Sequence, residues 1–503
     1  MRCLRRAAEP GGVIMLDGMT WTPNTPTIPS TTDLSLLAGA RPTPALPFLI
    51  SVADDAVSER AYLALRRREF VERQGLFTHT DRDDIDDDPR ARILVARTPD
   101  GSVIGGVRVA PCTPVDLGWW AGSRLVVTAE AGGATAAGVG SALVRAACAF
   151  VESAGVLRFD AEIQDRYAPL FTRLGWSDHS AGAVISGRAH RRVRWPIGRI
   201  EQLASSTKAM LAGVLAPLAE QRNGLGPEGF RGDDGVPVPG GDLIAACDAI
   251  IPSMIERDPE WAGWCSILVN LNDLSAMGAR PVGVLDAVAA PTTSQLTRIV
   301  RGIASAAQAW RTPVLGGHTQ AGVPAALSVT ALGRADAPVP AGGGRVGDTV
   351  SVIADLGGRW RPGYQGRQWD STSARSSDEL VAMSSIVPAL RPAAAKDVSM
   401  AGLAGTLGML AEASGTGAEL DVGAVPRPAG AAMGDWLTCF PGFAMLVADR
   451  PAAAPAVTAP VTPTPVTAAS CGRLTAQPGV RLRWPDGEVT TALTERVTGL
   501  GPA

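Results

Sequence analysis

Five aspartates between positions 233 and 397 do most to limit the folds open to this chain. Asp233, Asp234, Asp248, Asp273 and Asp397 each stand where an apolar run meets glycine or another small residue. The segments are GFRGDDGVPV (229–238), IAACDAIIP (244–252), LVNLNDLSAMGARPVG (268–283) and AKDVSMAGLAGTLGML (395–410). Short aliphatic runs closed by a carboxylate and a turn residue read as strands alternating with helices, with the carboxylates at strand ends. At LNDLSAMG a strand is expected to end and a helix to begin, placing Asp273 at the junction. One aspartate in a turn is explained by turn geometry alone. Five on short stems also supply the rigid oxygens by which proteins hold Mg2+ against nucleotide phosphates.

A chain of 503 residues is expected to hold two or three domains. Aromatic residues make up only 5% while glycine numbers 57 and proline 39, which suits α/β architecture with many tight turns. The 46 basic residues nearly balance the 49 acidic ones, so the chain lacks the electrostatic footprint for nucleic acid or an anionic membrane surface. Seven scattered cysteines form no CxxC pair, which argues for free thiols and against a disulfide framework or a zinc site. The basic N-terminus lacks an apolar signal core, and the Ala-rich stretch at 451–468 is broken by five prolines. A cytoplasmic protein is the resulting expectation.

Residues 1–46 read as a flexible leader. From position 47 the pattern predicts a helix over 61–75 and strands over 91–97, 102–110 and 123–129. An amphipathic helix follows over 139–154, with Val139, Leu143, Ala147 and Val151 on one face, then a strand over 157–164 and a short helix over 167–176. Glycines 138 and 140 directly precede the 139–154 helix, whose first N–H groups are unpaired and attract phosphate. In this order the elements REFVERQG, GVGSALV and FTRLGW resemble the GNAT superfamily of acyl-CoA N-acyltransferases across 47–197. The resemblance implies a mixed central sheet flanked by helices, with a splayed fourth strand pairing with the pantetheine arm. It implies that acetyl-CoA, or another acyl-CoA, meets Val127 and Thr128, with Gly138, Val139, Gly140 and Ser141 around its pyrophosphate. Tyr167 then resembles the family's acid for the leaving thiolate. Acyl transfer to an amine also needs a base, and Glu162 or Glu72 are the candidates. The acidic loop DRDDIDDDPR (81–90) reads either as a solvated charge run or as an attractor for a cationic amine.

A long helix is expected over 200–220, followed by two halves, 198–345 and 346–503, joined near Arg345-Val346-Gly347-Asp348. Their aspartate segments, NLNDLSAMGARP above all, resemble the superfamily of aminoimidazole ribonucleotide synthetase, thiamine monophosphate kinase and selenophosphate synthetase. The resemblance implies a two-part α+β unit in which Asp234, Asp248, Asp273 and Asp397 hold Mg2+-ATP with support from Asn270. TPVLGGHTQ matches the superfamily's GG-x-T turn, which places Gly316 and Gly317 among the nucleotide-binding residues. It further implies a homodimer through about 230–335. The kinase's DISDG is DVSMAG here, with Met400 at a carboxylate position. The expected function is a bifunctional enzyme: an acyl-CoA-dependent N-acyltransferase fused to an Mg2+-ATP-dependent synthetase or kinase acting on a small molecule. The alternative is an acyltransferase regulated by a non-catalytic nucleotide-binding scaffold.

Overall fold

The computed structural model describes residues 48–128, 133–451 and 466–503, and in the helix opening at Gly133 it describes side chains from Gly138 onward. The leader expected over 1–46 and most of the proline-broken stretch lie outside the described residues. The protein is mixed α/β, with several sheets.

Residues 49–195 build a seven-stranded mixed sheet. Its strands are β1 (Leu49–Val52), β2 (Arg92–Arg97), β3 (Val103–Pro111), β4 (Trp119–Val127), β5 (Arg158–Gln164), β6 (Ser177–Ile185) and β7 (Arg188–Trp195), in the order β1-β2-β3-β4-β5-β7-β6. Helices α1 (Ala56–Arg66), α2 (Gly133–Ser153) and α3 (Ala168–Arg173) connect them. Val139, Leu143, Ala147 and Val151 bury the expected stripe of α2 in the sheet's core. β4 and β5 run parallel but pair only over Trp119–Gly122 and Arg158–Ala161. Just beyond, Arg124 has a φ of 54° and the β3–β4 register slips, a bulge that bends β4 away from β5.

Several expected boundaries move. The helix expected over 61–75 is α1 from Ala56, continued by a π-helical stretch at Arg67–Arg73. α2 begins at Gly133 rather than 139, so Gly138 to Ser141 lie within the helix and not before it. The helix expected over 200–220 is two, α4 (Arg199–Lys208) and α5 (Leu211–Ala219).

The first half of the remainder holds a five-stranded sheet of β8 (Val236–Pro237), β9 (Leu243–Ala249), β10 (Arg280–Ala290), β11 (Val314–Ala321) and β12 (Ala326–Arg334), ordered β11-β10-β12-β9-β8. Its helices are α6 (Pro252–Arg257), α7 (Pro259–Ala276) and α8 (Thr293–Ala309). α7 is apolar nearly all round and almost entirely buried, as a central helix must be. It crosses α8 so closely that a Cβ on Gly263 would lie 2.2 Å from the Ile299 carbonyl oxygen, and one on Gly302 would lie 2.0 Å from that of Glu260. The sheet's other face is open. Cys247, Leu285 and Gly316 lie on one row across it and Ala249, Ala287 and His318 on the next, and all six are exposed.

The second half contains β13 (Thr349–Asp355), a small hairpin of β14 (Arg359–Trp360) and β15 (Trp369–Asp370), and helices α9 (Ser377–Ser384) and α10 (Ile386–Leu390). It continues with β16 (Ala394–Asp397), α11 (Gly402–Ala413), β17 (Gly417–Asp421), α12 (Met433–Thr438), β18 (Ala444–Asp449), β19 (Val466–Thr475), β20 (Val480–Arg483) and β21 (Val489–Leu493). The main sheet runs β16-β18-β13-β19-β17-β20-β21. The hairpin segment is fastened to the first half: Trp261 Nε1 donates to Gln368 (2.8 Å), Trp264 Nε1 to Thr372 (3.1 Å), and Arg361 pairs with Asp258 (2.8 Å).

The N-terminal sheet docks firmly on the second half. Arg158, 3% exposed, reaches both oxygens of Asp486 at 3.0 and 2.8 Å and lies 4.1 Å over the Trp119 ring. Arg194 pairs with Glu488 (2.6 Å), and Arg199 with Asp435 (2.7 Å). Leu157, Ile200 and Ala204 share one apolar cluster with Leu403, Leu407 and Trp436.

Candidate functional site

Asp234, Asp273 and Asp397 converge, each offering a carboxylate oxygen such that all three lie within 4.8 Å of one another. They come from three elements and from both halves. Asp234 sits in the turn before β8, Asp397 ends β16, and Asp273 lies in the last helical turn of α7. The last placement corrects the expected strand-to-helix junction. α7 is a long helix buried on nearly every side, and its C-terminal turn, which carries Asp273, faces the centre. The three carboxylates therefore mark the seam between the halves.

Backbone and side-chain bonds hold the seam. Asp234 accepts the Asp397 N–H (3.0 Å) through one oxygen and is ion-paired to Lys396 through the other. Asp233 accepts the N–H groups of Ala341 (2.7 Å) and Asp234 (2.8 Å) and lies 3.4 Å from Lys396 Nζ. Its carboxyl is pushed up to about 6, by burial first and by Asp234, with Lys396 opposing. Burial raises the carboxyls of Asp273 and Asp397 far above their ordinary range, and the neighbouring carboxylates add to it. Burial alone would lower the Lys396 ammonium, but Asp234 and Asp233 outweigh it and hold it raised. Asp248 stands in β9 with much of its surface open to water, yet it is crowded by protein atoms and by Asp234. Its carboxyl is raised, by desolvation first.

A cluster of this kind can share protons or hold a cation. Its all-oxygen donor set and its mutual repulsion, which a divalent cation relieves, fit Mg2+. Asn270, one turn before Asp273 and fully buried, donates to the Ser266 carbonyl (2.9 Å), while its Oδ1 has no partner among the described residues.

Gly316 and Gly317 lie on the edge strand β11, across the sheet from Asp248. Asp248, Val329, Asp286 and Gly317 lie on one row across β9, β12, β10 and β11. That is three strand spacings, about 14 Å, from Asp248 to Gly317. Glycine at 317 has a packing reason: a Cβ there would lie 2.2 Å from the Asp286 carboxylate.

In the N-terminal sheet Val127 and Thr128 flank the divergence of β4 from β5. The Thr128 N–H donates to the Ile104 carbonyl (2.8 Å), and its side chain is buried. Gly138 is exposed with open space around its Cβ direction, Val139 is buried, and Gly140 faces Val127. Tyr167, 44% exposed, stacks under Arg166. Glu162 accepts the Ala183 N–H (2.5 Å), and Glu72 pairs with Arg67 (3.3 Å). No hydrogen bond or ion pair joins these three among the described residues. The acidic loop is not solvated throughout, although Asp84 and Asp87 are exposed. Asp81 and Asp86 each lie 2.6 Å from buried Arg66, and Arg108 pairs with Asp83 and Asp86.

The signal missed in the sequence is lysine itself. Of 46 basic residues only two are lysines, Lys208 and Lys396. Lys396 lies in the carboxylate centre, and Lys208 is close enough to lower the carboxyls of Asp248 and Asp397 against the effect of burial. All six described cysteines are unpaired. Among the described residues no helix is long and apolar enough to cross a membrane.

The family model described as AIR synthase related protein, N-terminal domain, matches residues 232–335, and the corresponding C-terminal domain matches 377–485. An uncharacterized protein of Synechocystis sp. is 37% identical over 228 residues, covering 44% of this chain and 70% of that protein. The thiamine-monophosphate kinase of Synechococcus elongatus is 33% identical over 117 residues, covering 21% of this chain and 36% of the kinase. Among solved structures, PurL of Thermotoga maritima complexed with ATP aligns over 61% of this chain and 53% of that one, at 18% identity and a TM-score of 0.49.

Proposed function

The chain belongs to the AIR synthase-related family, and from that premise we propose that residues 198–503 bind Mg2+-ATP and transfer its terminal phosphoryl group to an oxygen of a small substrate. The observation that carries this is the convergence of Asp234, Asp273 and Asp397 at the seam. The kinases that match parts of the chain support phosphoryl transfer over other nucleotide chemistry. Asp234, Asp273 and Asp397 would hold Mg2+, with Asp248 beside them, and the bound ion supplies neutralisation of phosphate charge. Lys396 fixes the Asp234 carboxylate, and the Asp397 N–H orients its second oxygen. The substrate oxygen bonds to the terminal phosphorus as the phosphorus–oxygen bond to ADP breaks, so the protein's work is mainly positioning and charge stabilisation.

For residues 47–197 the proposal is acyl-CoA-dependent N-acyl transfer. The support is the parting of β4 from β5 after four paired residues, which leaves the β4 edge up to Val127, with Thr128 following it, without a strand partner on that side among the described residues and able to pair with an extended thioester arm. Tyr167 is the proposed acid, and Glu162 or Glu72 the proposed base. The open face of the five-stranded sheet supports a homodimer through 230–335, burying roughly 2,000 Å² or more. Light scattering is expected to give twice the chain mass at micromolar concentration, and a monomer contradicts the dimer.

Turnover separates enzyme from scaffold. With Mg2+ and a panel of small metabolites, ADP formation is expected to rise with one chemical class of acceptor. ATP binding with no ADP formed under any condition would instead favour a regulatory nucleotide domain.

A further inference from the structure

The chain places arginine at every basic position except two, and those two lysines lie far apart in sequence yet both act electrostatically on Asp397. Lys396 is already committed there, paired to Asp234 and 3.4 Å from Asp233. Lys208 is not. Its ammonium makes no hydrogen bond or ion pair with any described residue, and the side chain is half-buried at the end of α4.

The linker helix α4 is held in a fixed pose. Ala204 and Ile200, one and two turns back along the Lys208 face, are buried in the cluster containing Ala401, Leu403 and Leu407. Those residues belong to α11 and to the short turn joining it to Asp397. At the other end of α4, Arg199 pairs with Asp435 (2.7 Å), and Glu201 accepts the Thr494 N–H and hydroxyl, both at 3.0 Å. Lys208 is therefore held at the end of a packed helix, within electrostatic reach of Asp248 and Asp397. An ammonium is a compact point charge with three rotatable donors and can follow phosphoryl oxygens from several directions, whereas arginine's planar fork binds in one fixed plane, as it does to carboxylates at this chain's domain junction.

We propose that Lys208 is the cation that meets the terminal phosphates of the nucleotide, delivered into the site by the helix that joins the N-terminal domain to the synthetase-like unit. This rests on the Mg2+-ATP reading of the carboxylate centre. It adds a consequence: α4 is anchored where the N-terminal domain docks, so that domain's seating sets the position of a phosphate-binding group.

Calorimetry on the full chain with Mg2+ and AMPPCP, and separately with AMP, tests it. Lys208→Met is expected to melt with the parent and to weaken AMPPCP binding about 10- to 100-fold, while AMP binding changes less than about 3-fold. Unchanged AMPPCP affinity overturns the assignment. An equal loss for AMPPCP and AMP also overturns it, because it marks a structural role for the helix end. Failure of the parent itself to bind Mg2+-AMPPCP sinks the phosphoryl-transfer reading, and the Lys208 assignment with it, an outcome distinct from the other two.

Discussion

Asp233 is the residue whose titration the geometry makes measurable. Its carboxyl is raised to about 6, by burial first, whereas the unfolded chain loses the same proton near pH 4. Between roughly pH 4 and 6 the folded, metal-free protein keeps a proton that the unfolded chain has released, so this group costs stability progressively as pH rises through that window. Asp233→Asn removes the cost. The parent's stability minus the variant's, from urea unfolding without metal, is expected to fall between pH 4 and 6, and a pH-independent difference contradicts the assignment. The aspartates themselves were legible, because short carboxylates beside glycine are a local pattern. Their partners were not. That Asp234 would accept the Asp397 N–H, or that Gly317 answers to Asp286, depends on strand register, which a single sequence does not carry.

At the scale of elements, periodicity found β2 to β5 and the helices between them, but not β1, the β6–β7 hairpin or every helix end. Nothing in Lys208-Ala209-Met210-Leu211 breaks a helical pattern. α4 and α5 part there, and the Ala212 N–H is bonded instead to the Thr498 carbonyl (3.1 Å), near the opposite end of the chain. Asp273 was misplaced for a related reason: a helix apolar on every face resembles a buried strand over short windows. α2 offers a clean test. With no atom within 4 Å of a Cβ at Gly138, Gly138→Glu is expected to change stability by less than about 1 kcal/mol. The added carboxylate is expected to abolish acetyl-CoA binding by calorimetry if the pyrophosphate lies along this turn of helix. Undiminished binding would remove that site from α2.

Across the whole molecule, the order of the two AIR synthase-related halves was legible from the aspartate motifs, but the rigidity of the joint with the N-terminal sheet was not. Arg158, Asp486 and Glu488 are more than three hundred residues apart and carry no shared motif. Arg158→Ala takes the ion-pair partner from Asp486, while Asp160 and Glu488 keep Arg194; it is expected to cost about 1.5–3 kcal/mol, splitting the calorimetric melt so that the N-terminal domain unfolds first. A single unshifted transition contradicts that coupling. The seam centre also belongs to this scale, since Asp273 comes from the first half and Asp397 from the second. Each replaced singly by asparagine keeps its shape and loses its charge. Both variants are expected to fold as the parent does, and calorimetry with Mg2+-ATP is expected to show binding lost in each alike. Parent-like Mg2+-ATP affinity in the two variants would contradict this.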